Sequence, residues 1–237
     1  MGISIKYIKE NRKDFTEFYT KNFSKYFSPY LTLISVRLGI TPNGLTYIMW
    51  IIGILAACTF LYENIYISVI GGILLITINI LDTSDGEVAR ITGQTSDFGV
   101  ALDKIAHFTT NIVLIYFIAL SLSNFYESWI PIHLSICLIL FICADEMIKE
   151  LFLSQKLKKD MSSSKIDISY NRSSKAEFIV HISAGCVGLY HILPLLMFID
   201  WSFDIGRLSQ SIYLSYFLLV NTLKSIVRFF SVRKGLS

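Results

Sequence analysis

Between two long apolar runs the chain reads Leu81-Asp82-Thr83-Ser84-Asp85-Gly86-Glu87-Val88-Ala89-Arg90 and, eight residues later, Gly99-Val100-Ala101-Leu102-Asp103-Lys104-Ile105-Ala106-His107. At helical spacing Asp82, Asp85, Gly86 and Ala89 share one face at the end of the first run, while Gly99, Asp103 and His107 share one face at the start of the next. Two antiparallel helices with so short a link turn these faces toward each other. Counted from Tyr66 at about 1.5 Å per residue, the first helix has climbed roughly 24 Å by Asp82, near the inner boundary of a hydrocarbon core about 30 Å thick. Charge at that depth is costly, so such residues face a cavity or a partner and are functional by default.

The rest of the chain suits that setting. Of 237 residues 53% are hydrophobic and only 16% charged, and a mean hydropathy of +0.56 is too high for an ordinary soluble domain. Lys and Arg number 21 against 18 Asp and Glu, a balance too even for the basic stripe of a nucleic-acid-binding surface. Cys58, Cys137, Cys143 and Cys186 lie in apolar runs without CxxC spacing, so they read as small buried hydrophobes rather than disulfides or zinc ligands.

Six stretches approach the roughly 20 apolar residues a spanning helix needs: Leu45–Tyr62, Ile65–Leu81, Gly99–Ser121, Ile130–Met147, Phe178–Ile199 and Ser211–Phe230. Thr41-Pro42 and Pro131 mark helix starts, and Pro194 predicts a kink in the fifth span. Cations collect in the N-terminal segment, in the second connection (Arg90, Lys104), in the fourth (Lys156 to Lys175) and at the C-terminus (Arg233, Lys234). The opposite connections, around Glu63, around Glu127 and from Asp200 to Ser209, carry only Arg207. The positive-inside rule then puts both termini, and the carboxylate cluster, on the cytoplasmic side.

Glu10, Asp14 and Glu17 interrupt the pattern of a signal peptide. Phe15, Phe18, Tyr19, Phe23, Tyr26, Phe27 and Tyr30 recur at three- and four-residue steps instead. That stripe fits an interfacial helix lying on the cytoplasmic leaflet, with packing against the bundle as its alternative. The expected fold is therefore all-α: a polytopic membrane protein of six transmembrane helices preceded by an amphipathic interfacial helix. Residues 1–40 form the N-terminal segment, 41–230 the six-helix catalytic domain and 231–237 a tail. Ser154 to Lys175, with Ser162-Ser163-Ser164 and six cations, reads as a solvated loop; holding an anionic acceptor group is its second reading.

Three carboxylates meeting a histidine repel one another unless a cation sits among them, and oxygen ligands with room for one nitrogen suit Mg²⁺ or Mn²⁺. Small residues at 86, 89 and 99 leave backbone open to a bulky ligand, and Arg90 brings a bidentate donor suited to phosphate. Metal, arginine and glycine-lined space together describe a diphosphate pocket. The plainer reading is that Gly and Ala let helices pack closely and the charges cap helix ends.

Asp-x2-Asp-Gly-x2-Ala-Arg, eight residues, Gly, three residues, Asp, three residues and a last acid resembles the signature of the CDP-alcohol phosphotransferase (CDP-alcohol phosphatidyltransferase) family. Asp82, Asp85, Gly86, Ala89, Arg90, Gly99 and Asp103 stand in register, and His107 takes the place of the fourth aspartate. The preceding Leu38-Gly39-Ile40-Thr41-Pro42-Asn43-Gly44-Leu45-Thr46 is also similar to the way that family begins its first span. The resemblance implies a bacterial or archaeal inner-membrane enzyme, commonly a homodimer, acting in phospholipid or related biosynthesis. Such an enzyme moves a phosphoalcohol unit from a CDP-alcohol donor to an acceptor hydroxyl and releases CMP. Carried over by position, Asp82, Asp85, Asp103 and His107 would hold one or two Mg²⁺ or Mn²⁺ ions. Gly86, Ala89, Arg90, Gly99, Asn43 and Asp85 would form the CDP site, and Asp103 and His107 would be catalytic.

Position 107 leaves three readings open. A neutral imidazole, with an intrinsic pKa of about 6.5, can serve as general base. It can also ligate the metal and shift preference toward Mn²⁺, or the exchange marks a chain that binds CDP-lipid without turnover. Of the other polar residues, Asp145 and Glu146 read as the cytoplasmic end of the fourth span, His133, His181 and His191 as structural, and Lys224 and Arg228 as snorkelling cations. A cation transporter lacks support, because no paired broken helices in two related halves are evident.

Overall fold

The computed structural model describes residues 3–12, 23–62, 64–162, 195–196, 198–200, 202–203 and 207–236. Among them the long elements are all helices: α1 (Ile5–Glu10), α2 (Lys25–Arg37), α3 (Pro42–Thr59), α4 (Ile65–Thr92), α5 (Asp97–Tyr126), α6 (Ile130–Ser162) and α7 (Leu208–Leu236). α3 packs on α4 and α5, α2 on α4, α5 on α6, and α6 on α7.

Local chemistry sets the ends. The Thr41 hydroxyl accepts the Gly44 amide at 3.1 Å and Pro42 opens α3. Asn64 caps α4 through the Tyr66 amide, and Gly93, at φ +69°, closes it in the left-handed region that glycine tolerates. Ser96 then starts α5 by accepting the Gly99 amide at 3.0 Å. The short link from Gly93 to Ser96 joins α4 to α5, and α3 packs against both helices.

Pro42–Thr59, Val69–Thr92, Asp97–Tyr126 and Ile130–Ile148 are long and apolar enough to cross a membrane, so the chain is a polytopic, all-α membrane protein. The shared core holds Leu45, Met49, Leu75, Ile78, Leu114, Ile115 and Phe217. Glycines permit the closest approaches: a Cβ at Gly53 would stand 2.6 Å from Thr110 Cγ2, and one at Gly71 would collide with Thr59. Outward-facing Ile51, Leu55, Ile70, Ile73 and Leu140 are exposed, as lipid-facing apolar side chains are.

The helices overrun the spans read from sequence. α4 continues past Leu81 to Thr92 and α5 begins at Asp97, so Arg90 rides on a helix rather than in a loop, and Lys104 lies within α5 as the third expected span has it. α6 likewise runs to Ser162, so the first part of the expected solvated loop is helical. Apolar runs stop at the first charges, whereas backbone hydrogen bonding does not. The sixth expected span lies within α7; most of the fifth, with Pro194, His181 and His191, lies outside the described residues, as do the side chains of Lys224 and Arg228. Phe15, Phe18 and Tyr19 also fall outside. In the described part of the aromatic stripe, Tyr26, Phe27 and Tyr30 are exposed while Ser28, Pro29, Thr32 and Ser35 are buried.

Arg207 marks the far end of the bundle. It donates to the Ser121 hydroxyl and lies 5.8 Å from the Phe125 ring centroid, at the end of α5 remote from Asp103.

Candidate active site

The last turns of α4 carry Asp82, Asp85, Gly86, Ala89 and Arg90, and the first turns of α5 carry Gly99, Asp103 and His107. The short link between the two helices and the packing of α3 against both bring these turns within side-chain reach of each other. One ligand atom from each of Asp82, Asp103 and His107 lies within 4.8 Å of the other two. His107 Nε2 is 3.0 Å from Asp82 Oδ1 and 3.4 Å from Asp103 Oδ1. The side chains of Asp82 and Asp103 remain 38% and 39% exposed, enough for a ligand to reach them.

Asp103 Oδ1 is itself buried and accepts no hydrogen bond. A buried, unsatisfied carboxylate oxygen costs stability, and one aimed at a second carboxylate and an imidazole is what a cation would relieve. Two oxygens and one nitrogen at this separation fit a divalent ion of the Mg²⁺ or Mn²⁺ kind.

Asp85 stands apart from that trio. Its Oδ2 accepts the Thr46 hydroxyl at 2.8 Å, and Thr46 also bonds the Pro42 carbonyl at 3.2 Å. The start of α3 thus becomes a third wall of the site. Asn43 belongs to the same wall, with its Oδ1 2.9 Å from where a Cβ on Gly99 would be. Gly86 makes room in a different way: a Cβ there would stand 3.2 Å from Arg90 Nη1, so the guanidinium folds back along its own helix over the glycine. Ala89 lies one turn beyond Asp85, half-buried.

Two residues of this region have no role in the sequence reading. Thr46 sits in the quoted stretch that opens α3, but its contact with Asp85 depends on helix rotation. Glu87 is only 1% exposed and turns the other way, toward α2, where Ser28 Oγ and Thr32 Oγ1 donate to its two carboxylate oxygens at 3.0 and 2.7 Å. Hydroxyls at 28, 32 and 35 form a helical stripe that was legible, although the adjacent aromatic stripe is the more conspicuous pattern. On α6, Asp145 is buried, Glu146 half-buried and His133 exposed.

A family model described as CDP-alcohol phosphatidyltransferase matches residues 39–220. The archaetidylinositol phosphate synthase of Pyrococcus horikoshii is 40% identical over 83 residues, which is 35% of this chain and 43% of that protein. The match therefore spans under half of that relative's length. The crystal structure of Mycobacterium tuberculosis phosphatidylinositol phosphate synthase with CDP-DAG bound is similar at a TM-score of 0.59 and 13% identity, covering 87% of this chain and 94% of that one. At that identity the likeness is one of fold. With the motif in register on two facing helices and the family match running through most of the bundle, this chain belongs to the CDP-alcohol phosphatidyltransferase family.

Proposed function

We propose that this protein is a membrane transferase that passes the phosphoalcohol part of a CDP-alcohol to an acceptor hydroxyl, releasing CMP, in phospholipid biosynthesis. The convergence of Asp82, Asp103 and His107 across the α4–α5 pair carries the reading. Asp82 and Asp103, joined by Asp85, would hold one or two Mg²⁺ or Mn²⁺ ions. A bound divalent ion neutralises diphosphate oxygens and helps CMP depart. Arg90 pairs with phosphate, and Gly86, Ala89, Gly99 and Asn43 shape the surface against which CDP lies.

In the transfer, the acceptor oxygen bonds to the phosphorus that bears the alcohol. The bond from that phosphorus to the bridging oxygen breaks, and CMP leaves with the electron pair. The acceptor's proton goes to His107. His107 Nε2 lies 3.0 Å from Asp82 Oδ1; in the neutral tautomer that donates to this carboxylate, Nδ1 holds the lone pair that takes the proton, and Asp82 steadies the resulting imidazolium. Positioning and charge neutralisation supply most of the acceleration.

The names of both relatives end in an inositol phosphate lipid product. A CDP-linked lipid donor and a phosphorylated polyol acceptor therefore head the substrate list, in keeping with the basic stretch at 156–175. The architecture that accompanies the reading has six spans, an interfacial aromatic face on the N-terminal helix, both termini and the site on the cytoplasmic side, and a homodimer.

The test is CMP release by the purified protein in lipid with Mg²⁺ or Mn²⁺, across CDP-alcohols and acceptors, beside His107→Ala and His107→Asp. CMP from one donor, loss in the alanine variant and recovery in the aspartate variant are expected. Recovery of metal affinity by aspartate without turnover would make His107 a ligand instead. Metal-dependent CDP binding with no CMP under any condition would make the chain a nucleotide-lipid-binding protein.

A further inference from the structure

Beside Leu31 and Val36, which pack on the hydrophobic core, α2 presents a polar face to α4. Ser24, Ser28, Thr32 and Ser35 are each at most 1% exposed, and they recur on a single helical face. Opposite them on α4 lie Ser84, whose hydroxyl donates to the Ser28 carbonyl at 3.3 Å, and Glu87, which takes both α2 hydroxyls. A carboxylate this deep with each oxygen satisfied by a different side chain of one neighbouring helix fixes that helix in both rotation and height.

A second observation comes from the backbone. Pro29 lies inside α2 and has no amide to give to the Lys25 carbonyl one turn earlier. The guanidinium of Arg12, from the stretch after α1, donates to that carbonyl at 3.0 Å. The N-terminal segment is therefore tied to the first turn of α2, and the next turns of α2 to the active-site end of α4.

We propose that Glu87, with Ser28, Thr32 and Arg12, is a latch that holds the N-terminal helix against α4 and so positions Arg90 and Gly86 for the donor's diphosphate. Glu87 is a positioning residue: it points away from the trio of Asp82, Asp103 and His107 and touches α2. Its influence runs through α4, on which Gly86 precedes it directly and Arg90 follows three residues later, on the next turn. The inference rests on the CDP-alcohol reading of the site.

The experiment pairs two readouts in the full chain in lipid. The first is the KM for the CDP-alcohol donor and kcat for CMP release in Glu87→Ala, Glu87→Gln and the double variant Ser28→Ala with Thr32→Ala. The second is the rate at which a thiol reagent labels Ser24→Cys, with the four native cysteines replaced by alanine. Wild type is expected to label slowly, because residue 24 is fully buried. Glu87→Ala and the double variant should each raise donor KM about tenfold with kcat at saturation within about threefold, and both should speed labelling. Glu87→Gln, which keeps one acceptor, should fall between.

Faster labelling with unchanged donor KM would overturn the proposal, leaving a latch of purely structural effect. Loss of kcat with labelling still slow would also overturn it, by making Glu87 part of the chemistry. If wild type releases no CMP, the transferase reading fails on its own, and the affinity for Mg²⁺–CDP replaces KM as the donor readout. Unaltered affinity in Glu87→Ala would then refute the positioning role.

Discussion

Two carboxylate faces of the same helix differ in one respect. On the side of α4 toward α5, Asp82 faces Asp103, whose buried Oδ1 accepts no hydrogen bond. On the side toward α2, Glu87 is more deeply buried, yet Ser28 and Thr32 satisfy both of its oxygens. Burial therefore does not separate a working acid from a structural one; satisfaction does. Toward α5 two carboxylates share one imidazole, whereas toward α2 a single carboxylate has a hydroxyl donor for each oxygen.

Neutralising one acid on each face breaks the comparison most directly. On the proposed function, Asp103→Asn should lower CMP release by about 10³-fold, since an oxygen that would hold the divalent ion is lost. Thermal stability should change little, because the substitution removes both the repulsion with Asp82 and the charge that His107 Nε2 faces at 3.4 Å. Glu87→Gln should do the reverse, costing about 1–3 kcal/mol of stability, the usual figure when a buried polar partner goes missing. Thermal unfolding of both variants in the same lipid, beside CMP assays, measures the contrast. Similar stability losses at both positions would show that the two faces are not different in kind.

A smaller effect is expected at the wall between α3 and α5. In Gly99→Ala the new Cβ would meet Asn43 Oδ1 at 2.9 Å and Ser96 Oγ at 3.2 Å. The Asn43 amide is the end of a flexible side chain and can swing aside, so stability should change little. It swings out of the surface assigned to CDP, and donor KM should rise about tenfold. Steady-state kinetics against donor concentration read this out. An unchanged KM would remove Asn43 from the donor site and leave Gly99 as a packing residue only.

These differences also mark what could be read without coordinates. The meeting of α4 and α5 was legible from period, since Asp82 and Asp85 stand three apart on one helix and Gly99, Asp103 and His107 four apart on the next; the Gly93 and Ser96 caps that end one helix and start the other were not read. Helix length was underread, since the apolar pattern ends at Leu81 while hydrogen bonding continues to Thr92. The grouping of acids was only partly legible. Asp85 shares a face with Asp82 in the sequence, but Thr46, 39 residues away, draws it toward α3, and no local pattern encodes that rotation. Glu87 escaped for the same reason, as its partners are 55 and 59 residues away.

The smallest effect tests whether the α2 side is a built joint or a set of coincident contacts. Arg12→Ala deprives the Lys25 carbonyl of its donor, and Pro29 guarantees that no helix amide replaces it. The loss should be about 1 kcal/mol, as for one hydrogen bond. Pro29→Ala restores an amide at the right place in the turn, so in that background the same arginine substitution should cost less. The double-mutant cycle isolates the coupling. A coupling of about half a kcal/mol or more, read from thermal or denaturant unfolding, would show that Arg12 stands in for the missing proline amide. Strict additivity would mean that water already serves that carbonyl.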